Sequence, residues 1–354
     1  ICKLHWVSKA MSKLCSLVNS AQVPNKTATV YSSTDVSSLV CYVKNCLPES
    51  NHPLSEAAAH HFFKPGKLLR AKMAIRASNY LNIEQVAALP WAAAVEILHN
   101  ASLIHDDICD GDALRRGRPS VWHKYGPDTA LMLGDWLIAL AFELAAEAAQ
   151  ISATPVLVKI LADQMKLTTV GEVGGLGIKQ MINWHDYVDL SANKTAPLLA
   201  APLQGIMAMA QQNDSSAPIV AYFRRLGSAY QIANDILNFE GTDGAETQGS
   251  DLARRSPNGV TVIYRQMLST PEQMRFDSWY RTSCNSLLED WRDKIIASEA
   301  LNTTTRKMHE IFCDCEQLSE ELPAELYEII SPLHTMVKQV CEKSISSFML
   351  NRDD

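Results

Sequence analysis

Residues 90–118 read PWAAAVEILHNASLIHDDICDGDALRRGR. From Trp91 to Ile108, Ala, Leu and Ile lie on nearly every face, and a helix apolar all round is a buried one. Pro90 stands where such a helix can begin. Near its end come three acids at DDxxD spacing, Asp106, Asp107 and Asp110. Residues four apart share one helix face, so Asp106 and Asp110 point the same way. Two carboxylates in one place repel each other and call for a cation between them. Hard oxygen ligands, with no Cys or His at ligand spacing, suit Mg²⁺, which takes one or two carboxylates plus substrate phosphates. Arg115 and Arg116 follow, with fork-shaped donors that match phosphate oxygens. The stretch reads as a buried helix that ends in a holder for a metal-bound polyphosphate. A solvated acidic helix end before a basic loop would carry the same letters, so the rest of the chain has to decide.

Outward from this stretch the pattern stays helical from about residue 38, with apolar residues every three to four positions and few alternating β-branched runs. Thr129 to Gln150 reads as a second buried helix. Ile160 to Gly171, Tyr187 to Met209, Pro218 to Phe239 and Val260 to Met267 read as further helices. Breaks fall at Gly174-Gly175, Asn213 to Pro218 and Gly241 to Gly249. After about residue 270 the pattern is amphipathic and charged, as in an outer layer. Residues 38–354 therefore read as one all-α domain, a large bundle with buried central helices. Residues 1–37 read as an N-terminal extension, with a basic amphipathic helix from Cys2 to Val18 and then a Ser/Thr/Asn-rich linker. The start at Ile1 reads as trimming, and organelle targeting by this segment stays open.

Composition narrows the classes. A net charge of -7 over 354 residues gives no broad nucleic-acid surface. Nine scattered cysteines without a CxxC pair fit free thiols in a reducing compartment, so a cytoplasmic location is expected. No stretch reads as a transmembrane helix, since Asp135, Glu143 and Glu147 break the most apolar run.

Four further clusters bear on the acidic stretch. Lys67 and Arg70 lie three apart at an expected helix start, where the amino terminus and two cations favour an anion. His99 lies two turns before Asp106. Lys194-Thr195 sits inside an apolar helix, where a lysine needs an anionic partner. Tyr230 to Asn238 places Asn234 and Asp235 at a helix carboxy end, where a carboxylate is unfavourable unless a cation joins it. Each cluster alone also fits an ordinary helix terminus, core histidine or snorkelling lysine.

In order, the clusters resemble the trans-isoprenyl diphosphate synthase (polyprenyl synthetase) family over roughly residues 50–270. GKLLR resembles GGKRxRP. HNASLIHDDICDGDALRRGRP resembles the first aspartate-rich motif with its flanks. NKTAPLL resembles the KT motif, and YQIANDILN with GSDL resembles the second aspartate-rich motif. The resemblance implies the isoprenoid synthase fold, usually a homodimer. It also implies a reaction: metal-assisted ionisation of an allylic diphosphate, attack on C1 by the double bond of isopentenyl diphosphate, and loss of a proton. By position, Asp106 and Asp110 would bind Mg²⁺ bridging the allylic diphosphate, with Asn234 and Asp235 at a third ion. Arg115, Lys194 and Gln231 would contact that diphosphate, with Thr195 beside them. Lys67, Arg70, His99 and Arg116 would hold isopentenyl diphosphate. In the family, bulky residues one turn before the first motif floor the chain pocket; here Ala101 and Ser102 are small, which implies room for a tail of geranylgeranyl size or longer.

The chain also departs from the family. Asn234 replaces the first Asp of the second motif, offering an oxygen without charge, so a third Mg²⁺ should bind more weakly. Asn238 takes the fifth position. A Lys is expected before GSDL, where Ala245 to Gln248 stand, and the later GKxT appears as Asn258 to Thr261; Arg254 and Arg255 are candidates to compensate. Pro65-Gly66-Lys67-Leu68 lacks one Gly and one basic residue. Three readings follow: a chain-elongating prenyltransferase, a terpene-synthase-like enzyme that ionises for cyclisation or another acceptor, and a weakly active partner subunit of a heteromeric synthase. The intact Lys67, Arg70, His99 and Arg116 set favours the first.

Overall fold

The computed structural model describes residues 36–64, 66–174, 181–212, 216–241, 248–282 and 285–350. The expected N-terminal helix, most of the linker, Gly175, Asn213 to Ser215 and Ala245 to Thr247 lie outside these residues. From Leu39 onward the chain forms one compact unit.

The described residues form helices α1 (Val36–Cys46), α2 (Ser55–Phe62), α3 (Leu69–Tyr80) and α4 (Gln85–Asp110). A short hairpin follows, β1 (Leu114–Arg115) and β2 (Arg118–Pro119), then α5 (Val121–Tyr125), α6 (Pro127–Ile151), α7 (Val156–Val173), α8 (Trp184–Met209) and α9 (Ser216–Glu240). The carboxy-terminal part holds α10 (Ser250–Arg254), α11 (Gly259–Met267), α12 (Thr270–Tyr280), α13 (Leu288–Ile296), α14 (Ala300–Glu320) and α15 (Ala324–Leu350). The all-α architecture is the one the periodicity predicts.

Helix α4 is central. It packs against α6, α3 and α8, while α8 packs against α7 and α9. Trp91, Ile97, Ile104, Leu133, Leu137 and Phe223 are fully buried among them. Such burial stabilises by about 2 kcal/mol for each large apolar side chain.

Three expectations need correction. Pro90 lies inside α4, which begins at Gln85. Proline removes the bond to the carbonyl four residues earlier; that carbonyl belongs to Val86, which is 57% exposed, so water can serve it. Helix α6 is not buried all round, since Leu131 and Met132 stand open on one side. Finally, α4 and α6 are both long and apolar enough to cross a membrane by length and composition, with 83% and 44% of the apolar window buried inside the fold.

Candidate active site

The structure sorts the three acids of the first motif. Asp107 is buried and accepts hydrogen bonds from Arg115, through Nε at 2.8 Å and through Nη2. No hydrogen bond or ion pair from another described residue reaches the carboxylates of Asp106 or Asp110. Burial first, and then the Glu172 carboxylate, push Asp106 up to about 7, against the pull of Lys194. Two unpaired acids one turn apart in such a place form a donor set that a divalent cation would satisfy. Among the described residues no three His, Cys, Asp or Glu side chains form a ready metal cage. Mg²⁺ fits this arrangement because it keeps waters and phosphate oxygens among its ligands.

Lys194 of α8 faces this end of α4. Its Nζ lies 3.0 Å from Glu172 Oε2 of α7. Burial works against its charge, but Glu172, Asp106 and Asp110 outweigh that and push the ammonium well up. Gly171 permits this approach: a Cβ there would meet the Lys194 backbone nitrogen and lie 2.6 Å from Lys194 Cα. Sequence reasoning missed Glu172, which sits in no recognisable spacing; the adjacent glycine is the only signal of a close helix contact. Thr195, beside Lys194, lies against α9 at Gly227.

The two arginines are held by the hairpin rather than by a helix end. Arg115 pairs with Arg118 across β1 and β2. Arg116 and Gly117 between them both have positive φ, 56° and 74°, as a two-residue hairpin turn of primed type requires. Arg116 Nη1 donates to the Lys64 carbonyl at 2.9 Å and Nη2 to Asn100 Oδ1 at 3.4 Å.

The expected isopentenyl set lies on this side. Helix α3 starts at Leu69, so Lys67 precedes it and Arg70 lies in its first turn. Arg70 Nε donates to the Leu198 carbonyl at 3.1 Å. That carbonyl is available because Pro202, four residues on, has no N–H to bond it within α8. Glu96 is buried nearby and accepts from the Ala71 amide at 3.2 Å. Burial pushes Glu96 up and Arg70 down, while their mutual attraction resists both shifts. Burial, followed by Arg70 and Arg116, holds the His99 ring well below its usual range and so neutral. Ala101 is fully buried, and Ser102 Oγ donates to the His99 carbonyl at 2.8 Å.

The second motif is a buried network. Asp235 accepts from Tyr187 Oη, from the Gly259 amide at 2.6 Å and from Gln231 Nε2 at 3.1 Å. Burial and then Asp251 raise its carboxyl to about 7, against those donors. Asp235 thus ties α9 to α8 and α11, with both oxygens already occupied. Asn234, its neighbour, is half-buried. Of the two candidate arginines, Arg255 stacks on Trp279 at 3.9 Å. Arg254 donates to the Asp110 carbonyl at 3.2 Å and to Asp251 at 2.8 Å, so it is Arg254 that reaches the first motif.

The polyprenyl synthetase family model matches residues 51–293. A geranylgeranyl diphosphate synthase of Saccharolobus solfataricus is 32% identical over 222 residues, 61% of this chain and 67% of that protein. A heptaprenyl diphosphate synthase component 2 of Geobacillus stearothermophilus is 30% identical over 66% of this chain and 72% of its own length. A crystal structure of a decaprenyl diphosphate synthase from Rhodobacter capsulatus shares the fold, with a TM-score of 0.74, 20% identity, and coverage of 87% of this chain and 95% of that one.

Proposed function

The chain belongs to the polyprenyl synthetase family and is a prenyltransferase of the isoprenyl diphosphate synthase class; from that premise we propose that it uses Mg²⁺ to ionise an allylic diphosphate and joins it to isopentenyl diphosphate, giving a product of geranylgeranyl size or longer. The observation that carries this reading is the pair of unpaired carboxylates, Asp106 and Asp110, at the end of a buried helix beside a charged Lys194. These two acids would hold Mg²⁺, which neutralises diphosphate oxygens as the C1–O bond breaks.

Lys194 and Arg115 contact the allylic diphosphate. Asp107 holds the Arg115 guanidinium in place for it. Thr195 and Gln231 flank that position. Lys67, Arg70, His99 and Arg116 hold isopentenyl diphosphate, with His99 neutral and able to donate without adding charge. The apolar wall around Ala101 excludes water from the cation. Asn234 contributes at most an uncharged oxygen to a third Mg²⁺, which makes that ion the weakest held. The apolar side of α6 that Leu131 and Met132 leave open supports a homodimer.

A partner subunit of a heteromeric synthase is the second reading. Asn234 favours it, as does the relative named as a synthase component. The test is to incubate the protein with Mg²⁺ and each allylic diphosphate, with and without isopentenyl diphosphate, and to weigh the products. Elongated diphosphates that need isopentenyl diphosphate are expected. Products formed without it would replace this reading with cyclisation, and an inert protein would favour the subunit.

A further inference from the structure

We propose that the concave surface between α2, the β1–β2 hairpin and α5 is an anion subsite for a phosphate-bearing ligand, bordering the two diphosphate positions described above at Arg115 and Arg116. His60, Lys64, Arg115, Arg116, Arg118 and Ser120 line this open space. Lys124 adjoins it through His60.

Charge is the first observation. Arg115 is neutralised by Asp107. Lys64, Arg116, Arg118 and Lys124 have no acid within ion-pair distance among the described residues. Their hydrogen-bond partners are all neutral. Arg116 reaches the Lys64 carbonyl and the Asn100 amide oxygen. Arg118 donates to the His60 carbonyl at 3.2 Å and to His60 Nδ1 at 3.1 Å, and Lys124 Nζ lies 3.3 Å from the same nitrogen. His60 Nε2 faces the Pro119 carbonyl at 2.8 Å. With its proton placed on Nε2 toward that carbonyl, the ring offers Nδ1 to both cations as an acceptor. Arg118 and Lys124 share one ring nitrogen while Lys64 and Arg116 line the space beside them, and an anion among these like charges relieves their repulsion.

Ser120 is the second, independent observation. It is 2% exposed, lines the same space, and its Oγ has no hydrogen-bond partner. It precedes α5 without capping it. A buried hydroxyl left unpaired is costly, and a phosphate oxygen would satisfy it with a charge-assisted bond. The set of donors, with no carboxylate among the lining residues, selects a phosphate or diphosphate group over a cation or a neutral ligand. Because Arg116 also belongs to the isopentenyl position, an anion here competes with isopentenyl diphosphate; Arg115, held by Asp107, is the edge it shares with the allylic position.

The experiment is calorimetric titration of the full chain with inorganic diphosphate in metal-free buffer, for wild type, Ser120→Ala, Arg118→Gln and Arg118→Lys. Ser120→Ala and Arg118→Gln should each weaken binding about tenfold, and Arg118→Lys should keep most of it. Turnover at saturating substrates should be unchanged in all three. Ser120→Ala removes an orphaned hydroxyl, so its melting temperature should stay level or rise; weaker binding in that variant is then not a folding defect, and it decides the matter even if Arg118→Gln fails to fold. Isopentenyl diphosphate serves as a second titrant. If its binding weakens in the same variants, the subsite receives the incoming substrate; if not, it receives the free anion. Wild-type diphosphate binding in both Ser120→Ala and Arg118→Gln would overturn the proposal.

Discussion

Gly171→Ala is the most informative single change, because the structure fixes both its size and its place. The added Cβ would lie 2.6 Å from Lys194 Cα and 2.7 Å from the Asn193 carbonyl carbon, and would also meet the Lys194 nitrogen. These are backbone atoms of a helix and have no rotamer to change. Ordinary carbon contacts need roughly 3.5 Å, so α7 and α8 must part by about 1 Å. Alanine in place of glycine gains about 1 kcal/mol of helix propensity. Overpacking of this kind costs about 1–3 kcal/mol. The net effect expected is a loss of about 1 kcal/mol, read as a lower urea midpoint at constant slope. Catalysis should suffer more. The shift moves Glu172 against Lys194, now 3.0 Å apart, and with them the charges beside Asp106. Displacing a positioned group by about 1 Å can cost about a hundredfold in rate. The assays are urea unfolding and steady-state turnover with Mg²⁺. A variant as stable and as active as wild type would show that α7 and α8 do not meet at Lys194, and the geometry of the site would fall with it.

Four other outcomes are expected. Asp106→Ala or Asp110→Ala should lower turnover by about a hundredfold or more, about 3 kcal/mol at the barrier, and near wild-type turnover in either would remove the metal assignment. Ala101→Phe fills a fully buried position and should shorten the products seen by mass spectrometry. Asn234→Asp restores a charge and should lower the Mg²⁺ concentration for half-maximal rate; an unchanged titration would mean that Asn234 touches no metal. Burial, opposed by the Asn100 hydrogen bond and aided by Arg116, lowers His61 to about 4. The unfolded chain therefore binds this proton first. The stability His61 contributes is complete above pH 6.5 and lost as pH falls through 4, about 3 kcal/mol in all; in His61→Gln, urea unfolding should lose that share of its acid sensitivity.

The central helix and the shared face of Asp106 and Asp110 were legible because they follow from periodicity alone. Asp107's different fate was not, since it depends on where a hairpin returns Arg115. That hairpin left little trace in the letters: its turn is Arg116-Gly117, and a non-glycine residue with positive φ gives no strong local signal. Lys194 was legible as a lysine in need of an anion, but Glu172 was not, because contacts between helices carry no fixed spacing. Pro90 misled for a physical reason: a proline near the start of a long helix costs little when the carbonyl it leaves behind faces water.

Pro202 has a consequence for how this protein can change. Arg70 is held by a main-chain oxygen, which every amino acid possesses, so no side chain at Leu198 needs to match it. Substitutions that track one another through paired side chains would pass over this contact. The position that governs it is the imino acid one turn further along α8. Any other residue there would supply an N–H that competes with the guanidinium for the Leu198 carbonyl. A change at Pro202 is therefore expected to loosen Arg70 without touching its side chain.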